Sequence, residues 1–339
     1  MIKTTFIALV SLSLLALGTP VHAGAQVVEI VPFQVQNQSP LVQIYGLPTL
    51  GDSVVLGAGR GHLSLGVDLA NNYIREEADR ESLLLDGEST RFTLRGRYGL
   101  GQGFEVGIEV PYIVVSGGFL DSPIESYHKT FGFPNGGREE APSNRLLHRY
   151  TRNGRVLLNV FESANGMGDV SVTGGWQLCR LGGRNNQGLV LRAGVKLPTG
   201  DSDFLLGSGG TDVSLWLTGS RSWETGAGRM GVYGAAGGLL MSKGKILADQ
   251  QSSFVGFGAL GLGWRPWSWL ALKVQANGHT AFYRDSHIKA LGEPSVQLTL
   301  GGAVALSSRA TLDLALTEDV VVGASPDCVF HLLLSYRFW

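Results

Sequence analysis

Past residue 25 the chain lacks any apolar run that could cross a membrane as a helix. Its longest runs, 231–241 and 254–264, are about eleven residues, where a helix needs about twenty and a tilted strand about ten. Cysteine is scarce, with Cys179 and Cys328 the only two. An even count in an exported chain invites a disulfide. The strand order puts Cys179 near the periplasmic end of one strand and Cys328 near the extracellular start of a distant one, too far apart to bridge. Charge is also sparse: 16% of residues are charged and the net charge is −1, which removes the electrostatic case for nucleic acid. Glycine, at 49 of 339 residues, is in excess and argues against a helical protein. Positive mean hydropathy without a spanning helix is what a barrel produces by alternating lipid-facing and interior residues.

Both ends carry signals. Lys3, the apolar stretch 6–17, Pro20 and small residues ending at Ala23 or Ala25 predict a signal peptide over residues 1–25. The chain closes on Phe330-His331-Leu332-Leu333-Leu334-Ser335-Tyr336-Arg337-Phe338-Trp339. Phe330, Leu332, Leu334, Tyr336 and Phe338 share one face of this strand, and His331, Ser335 and Arg337 the other. The pattern resembles the C-terminal strand by which outer-membrane barrels are recognised for insertion, with Trp339 added after the usual final Phe. A soluble edge strand would expose that aromatic row to water.

Between the ends the chain alternates with period two. Phe104, Val106, Ile108 and Val110 interleave with Glu105 and Glu109; Phe92, Leu94 and Tyr98 interleave with Arg91, Arg95 and Arg97. A tight turn at Gly101-Gln102-Gly103 joins the two strands and puts their charges on one shared face. That face must line an interior, because a charge at the lipid midplane costs about 2–4 kcal/mol. The same test assigns Arg192, Lys196, Asp212, Lys273, His279, Asp313 and Arg337 to the interior. Segments 228–242 and 252–264 are apolar or Gly on both faces, fitting strands over an apolar part of the lumen or strands packed on a plug.

Connection lengths alternate from residue 60 onward. Long ones fall near 74–88, 114–167, 199–209, 243–251, 283–292 and 322–327; short ones near 101–102, 181–186, 224–228, 266–268 and 307–308. Long outer loops and short periplasmic turns are the barrel habit. The reading is therefore an all-β protein: a transmembrane antiparallel β-barrel of about twelve strands, within a range of about ten to fourteen, occupying residues 59–339 with both termini periplasmic. Residues 26–58 are either a periplasmic tail or a segment tucked into the lumen. Within the large outer connection 114–167, Asp121-Ser122-Pro123 suits a helix start running to about Phe131, and residues 155–162 suit an extra β-segment.

The stretches Asn37-Gln38-Ser39-Pro40, Asp86-Gly87-Glu88, Gly117-Gly118-Phe119-Leu120-Asp121, Tyr127-His128 and Gly137-Arg138-Glu139 carry a resemblance. So do Lys196-Leu197-Pro198-Thr199-Gly200-Asp201, Gly207-Ser208-Gly209-Gly210-Thr211-Asp212, Glu318-Asp319 and Ser325-Pro326-Asp327. Together they make nearly the whole mature chain similar to an uncharacterised bacterial family of outer-membrane proteins, a domain of unknown function that implies a barrel but no activity. The Leu-Pro-Thr-Gly and Gly-Ser-Gly-Gly-Thr-Asp stretches also resemble channels linked to uptake of aromatic hydrocarbons and fatty acids.

Chemical motifs are few. Gly256-Phe257-Gly258-Ala259-Leu260-Gly261 matches a dinucleotide fingerprint but lacks its helix and acidic partner. His128 near Asp121, Ser122 and Ser126 is the best local hydrolase cluster, yet it lacks a His-x-Ser signature, and Asp121-Ser122 fit helix capping. Asp201 and Asp203 could hold calcium or form a solvated turn. With Asp121, His128 and Arg138 they are the outer-loop candidates. No enzyme, cofactor or metal is expected. The interior charges read either as a field that selects solutes or as a salt-bridge ladder filling the lumen. The expected function is a narrow passive channel for a small solute, with residues 26–58 a possible hatch. A closed structural or interaction barrel is the alternative, and an outer-membrane hydrolase ranks below both. Expected partners are outer-membrane lipid, lipopolysaccharide and the barrel-assembly machinery, with no nucleic acid.

Overall fold

The computed structural model describes residues 27–122, 142–181, 187–320 and 325–338. Its strands are β1 (Gly61–Ala78), β2 (Glu81–Gly101), β3 (Phe104–Ser116), β4 (Leu147–Arg152), β5 (Arg155–Val160), β6 (Ala164–Met167), β7 (Ser171–Arg180), β8 (Gly188–Lys196), β9 (Asp212–Thr225), β10 (Gly228–Met241), β11 (Phe254–Trp267), β12 (Leu270–His279), β13 (Ser295–Ala305), β14 (Ala310–Asp319) and β15 (Cys328–Phe338). One short helix, α1 (Lys289–Gly292), lies in the loop before β13. Twelve strands (β1–β3 and β7–β15) form an antiparallel ring, closed where β1 pairs with β15 from Gly61↔Phe338 to Asn71↔Cys328. No described helix is long and apolar enough to cross a membrane.

The ring is inside out, as the alternation requires. Phe92, Leu94, Ile108, Val172, Leu215, Leu262, Leu300 and Leu334 are exposed on its outer face, while Arg91, Arg95, Glu105, Arg192, Lys196, Asp212, Lys273 and Gln275 are buried on its inner face. Exposed aromatic residues crowd the end that carries the short turns. Phe104 stacks on Trp176 at 6.0 Å and Trp267 on Trp269 at 5.6 Å, with Tyr98, Trp223 and Tyr336 also outside. Amphipathic rings suit the level where hydrocarbon meets headgroups.

The other end departs from the sequence reading. Residues 74–88 are not a loop: β1 and β2 continue to a turn at Asp79, which has φ 48°. Above the ring β2 turns away from β3 to pair with β4, and β4 pairs with β5. Residues 155–160 are thus strand, and the connection 114–167 also holds β4 and β6. The pairing of β3 with β7 is short, from Phe104↔Trp176 to Glu109↔Ser171; above it β3 pairs with β6. At the turn end, β11 runs on through Trp267, which was expected to lie in a connection. The helix expected from Asp121 is described only at residues 121 and 122; its remainder lies outside the described residues, as do His128, Arg138 and the signal segment. Cys179 and Cys328 are not joined to each other by a disulfide.

Candidate lumen site

Residues 27–58 cross the inside of the ring as a non-strand plug. From the turn end the segment rises along β12: Val28 N–H donates to the Ser268 carbonyl at 2.8 Å and Phe33 N–H to Gln275 Oε1 at 2.8 Å. Lys273 Nζ donates to the Val31 carbonyl at 3.2 Å and sits 4.0 Å from the Phe33 ring centre. Ile30 fits against β10 and β11 because glycine faces it there; a Cβ on Gly263 would lie 2.3 Å from Ile30 Cγ2. That contact accounts for Gly231 and Gly263, whereas Gly261 makes room for Tyr233 and Gly237 for Trp216.

The plug reverses near the loop end. Asn37 donates to His279 Nε2 at 2.9 Å, and both the Val42 and Gln43 amides donate to the Ser39 carbonyl at 2.9 Å. Leu41, Ile44 and Tyr45 enter an apolar cluster with Leu83, Tyr150, Leu205, Phe282 and Tyr283, so the plug tip packs into the loop end. Burial pushes the phenols of Tyr45 and Tyr283 above their usual range.

The return arm runs down β8 and β9 and is held by polar groups. Gly46 N–H donates to Asp212 at 2.8 Å, and Trp216 Nε1 and Thr218 Oγ1 both donate to the Leu50 carbonyl, at 2.9 and 2.5 Å. Arg192 donates to the Asp52 carbonyl at 2.6 Å, Val55 N–H to Gln177 at 2.9 Å, and Leu56 N–H to Glu105 at 2.9 Å. Gly51 has φ +71°, and a Cβ there would meet Arg192 Nε at 2.6 Å, so only glycine lets the arm pass the guanidinium.

The interior charges form a network in which the plug takes part. Arg192 meets Glu105 at 2.6 Å, Arg97 meets Asp52 at 2.6 Å, and Lys196 meets Asp169 and Asp212 at 2.7 and 3.1 Å. Lys273 meets Asp313 at 2.5 Å. Arg95 reaches Glu109 at 3.4 Å, while Thr49 donates to the same Glu109 oxygen at 3.3 Å. Burial alone would raise the Asp52 carboxyl; Arg97, His62 and Arg192 outweigh it and hold the group well below the usual carboxylate range. A separate buried chain runs from Asp68 to His331 at 2.5 Å, on to Thr317 at 2.8 Å and to Thr299 at 2.7 Å, tying β1, β15, β14 and β13.

Two spaces remain. One, of about 60 Å³, lies between the return arm and the β2, β3 and β8 wall and is lined by Gln43, Arg91, Arg95 and Glu109 among others. The other, of about 640 Å³, opens at the turn end; five arginines line it (Arg60, Arg97, Arg180, Arg309, Arg337) against one carboxylate, Asp52. Arg97 borders both.

The structure thus brings together Arg91, Arg95, Arg97, Glu105, Glu109, Arg192, Lys196 and Asp212 on one side of the lumen and sets Lys273, His279 and Asp313 across from them. Asp121 is buried rather than exposed, accepting from Asn71 at 3.1 Å and from the Asn144 amide at 2.6 Å. Asp201 and Asp203 form an exposed turn in which the Asp203 amide donates to Asp201 at 2.9 Å. No group of three or more potential metal ligands occurs among the described residues. Sequence reading missed Gln43, Thr49 and Asp52. Their signal was compositional: residues 27–59 contain no Lys or Arg and two carboxylates, Glu29 and Asp52, opposite an arginine-rich wall.

Among solved structures, the COG4313 outer membrane channel from Pseudomonas putida F1 is 13% identical, with a TM-score of 0.54 over 85% of this chain and 98% of that one. The Ralstonia pickettii toluene transporter TbuX is 11% identical, with a TM-score of 0.36 over 92% of this chain and 96% of that one. The first likeness is one of fold: this chain is an outer-membrane-type β-barrel. No curated protein matches it in sequence. Residues 9–338 match the family described as "Protein of unknown function (DUF3187)", and the chain belongs to that family.

Proposed function

We propose that the protein is a narrow passive channel of the bacterial outer membrane for small solutes, with residues 26–58 as its internal hatch. The observation that carries this reading is the nature of the lumen filling. Barrels closed for stability alone can satisfy interior charges across the wall, yet here Arg192, Gln177, Gln275, Trp216 and Thr218 donate to or accept from a segment that is not part of the wall. A twelve-strand ring is wide enough to need a filler and narrow enough for one strand-pair's worth of chain to block it. The turn end faces the periplasm in this reading, so that the 640 Å³ vestibule is periplasmic and the loops packed on the plug tip face outward. β15 would address the assembly machinery, and the exposed loops would meet lipopolysaccharide.

Single-channel recording of the full chain in planar bilayers tests the proposal. Discrete openings are expected. Silence from a preparation whose gel mobility shifts on heating, and which is therefore folded, would leave a closed structural barrel instead. Hydrolase chemistry is not part of the proposal: wall and plug carry ion pairs and hydrogen bonds that hold chain against chain.

A further inference from the structure

Most interior cations have a carboxylate; Arg91 has none within 4 Å among the described residues. Its Nη1 donates to the Gln43 carbonyl at 3.2 Å, and its Nε has no partner. Arg91 is 8% exposed. Gln43, 6% exposed, has neither its side-chain oxygen nor its nitrogen bonded. Arg95, 5% exposed, has Nη2 unbonded and Nε within ion-pair range of Glu109 without a hydrogen bond. All three border the 60 Å³ space between plug and wall. Asp68 stands opposite Arg91 in the β1–β2 register but is engaged by His331.

Leaving buried guanidinium and amide donors unbonded is costly, more so for charged groups. Nonpolar or neutral side chains would fill the same wall without that cost. A space of this size takes a few waters or a group of three to four heavy atoms. Planar guanidinium forks match planar oxyanions. Arg97, Arg192 and Lys196 already have Asp52, Glu105, Asp169 and Asp212. In total the five cations here are matched by five carboxylates, so what sets Arg91 apart is local: Glu109 faces Arg95 and Thr49, and no carboxylate lies within 4 Å of Arg91 among the described residues.

We infer that this space is a binding site for the carboxylate of a small monocarboxylic acid, held by Arg91, Arg95 and the Gln43 amide. The inference rests on the channel reading for its role: the bound anion is cargo on its way past the hatch, through the arginine-lined vestibule that Arg97 joins to the site.

Saturation-transfer NMR on the folded full chain in detergent, with acetate, acetamide and inorganic phosphate as probes, tests the site without requiring conduction. Acetate is expected to bind and its neutral isostere acetamide not to. Arg91→Gln should weaken acetate binding roughly tenfold or more, and Arg95→Gln should weaken it less, because Glu109 already occupies part of its charge. Arg91→Lys keeps the charge and loses the fork, giving an intermediate affinity, and it stands in if the Gln variant does not fold. No acetate signal, acetamide binding equal to acetate, phosphate binding tighter than acetate, or indifference to both Arg91 variants would each overturn the inference. Bilayer recordings separate it from the channel reading. Acetate binding by a silent barrel sinks the channel and leaves the site; openings without acetate binding do the reverse.

Discussion

The two arms of the plug are held by different forces. The rising arm lies against β10–β12, where Ile30 is seated by shape on glycine and the backbone of residues 28–33 bonds to Arg265, Ser268, Lys273 and Gln275, with no ion pair between this arm and the wall among the described residues. The return arm lies against β2, β3 and β7–β9, where backbone groups of residues 46–56 and the Asp52 carboxylate meet Arg97, Glu105, Gln177, Arg192 and Asp212. Steric seating resists salt and pH but yields to one added methyl group. Buried ion pairs resist screening but fail when one member is removed, because the survivor is left charged and unpaired. A hatch built on the second kind of contact can be released by a competing anion; one built on the first cannot. The rising arm therefore reads as the anchor and the return arm as the moving part.

The largest expected break is Glu105→Ala. It strands Arg192, frees the Leu56 amide and loosens Arg97, and loss of one buried partner costs about 3–5 kcal/mol. Urea unfolding in lipid vesicles should show that loss, with more frequent openings in bilayers. Gly263→Val follows: its added carbons overlap Ile30, and overpacking costs about 1–3 kcal/mol. Proteolysis should then cut near residues 27–33 while the return arm stays protected. Cutting of both arms together would show one cooperative plug and remove the distinction. Thr218→Val is milder, about 1 kcal/mol by the same unfolding assay, because Trp216 Nε1 still donates to the Leu50 carbonyl.

Acid gives the smallest effect at working pH. The Asp52 carboxyl is held below its usual value of 3.8, so its contribution is fully present above that value and fades as pH falls through the lower folded one. Conductance should be flat from pH 7 to about 4. Asp52→Asn should remove the acid-dependent rise below that point.

The wall was legible in the sequence because every spanning strand must be apolar on one face and sheltered on the other. Arg95, Arg97, Glu105 and Glu109 announced the inside simply by being charged on the face opposite Phe92, Leu94, Val106 and Ile108. That constraint ends where lipid ends. Above the ring, β2 pairs with β4, Leu83 and Leu85 enter the apolar cluster at the plug tip and Leu84 between them is half-buried, so the three leucines make one apolar run without a polar face and residues 74–88 read as a loop. The plug lacks a period for a related reason: it crosses a lumen whose groups reach it from all sides, and its backbone rather than its side chains takes most of the bonds. Only its missing cations pointed to a basic surround, and no local rule says that a carboxylate at residue 52 will meet an arginine at residue 97.

A reversible lock tests the central claim most directly. Ser53 Oγ on the return arm lies 2.5 Å from Ser220 Oγ on β9. In a chain carrying Cys179→Ser and Cys328→Ser, the pair Ser53→Cys and Ser220→Cys should cross-link on oxidation. Openings should then disappear and return when reductant is added to the same bilayer. Unchanged conductance in the fully cross-linked protein would show that solutes pass without moving the return arm, and the hatch reading would be wrong.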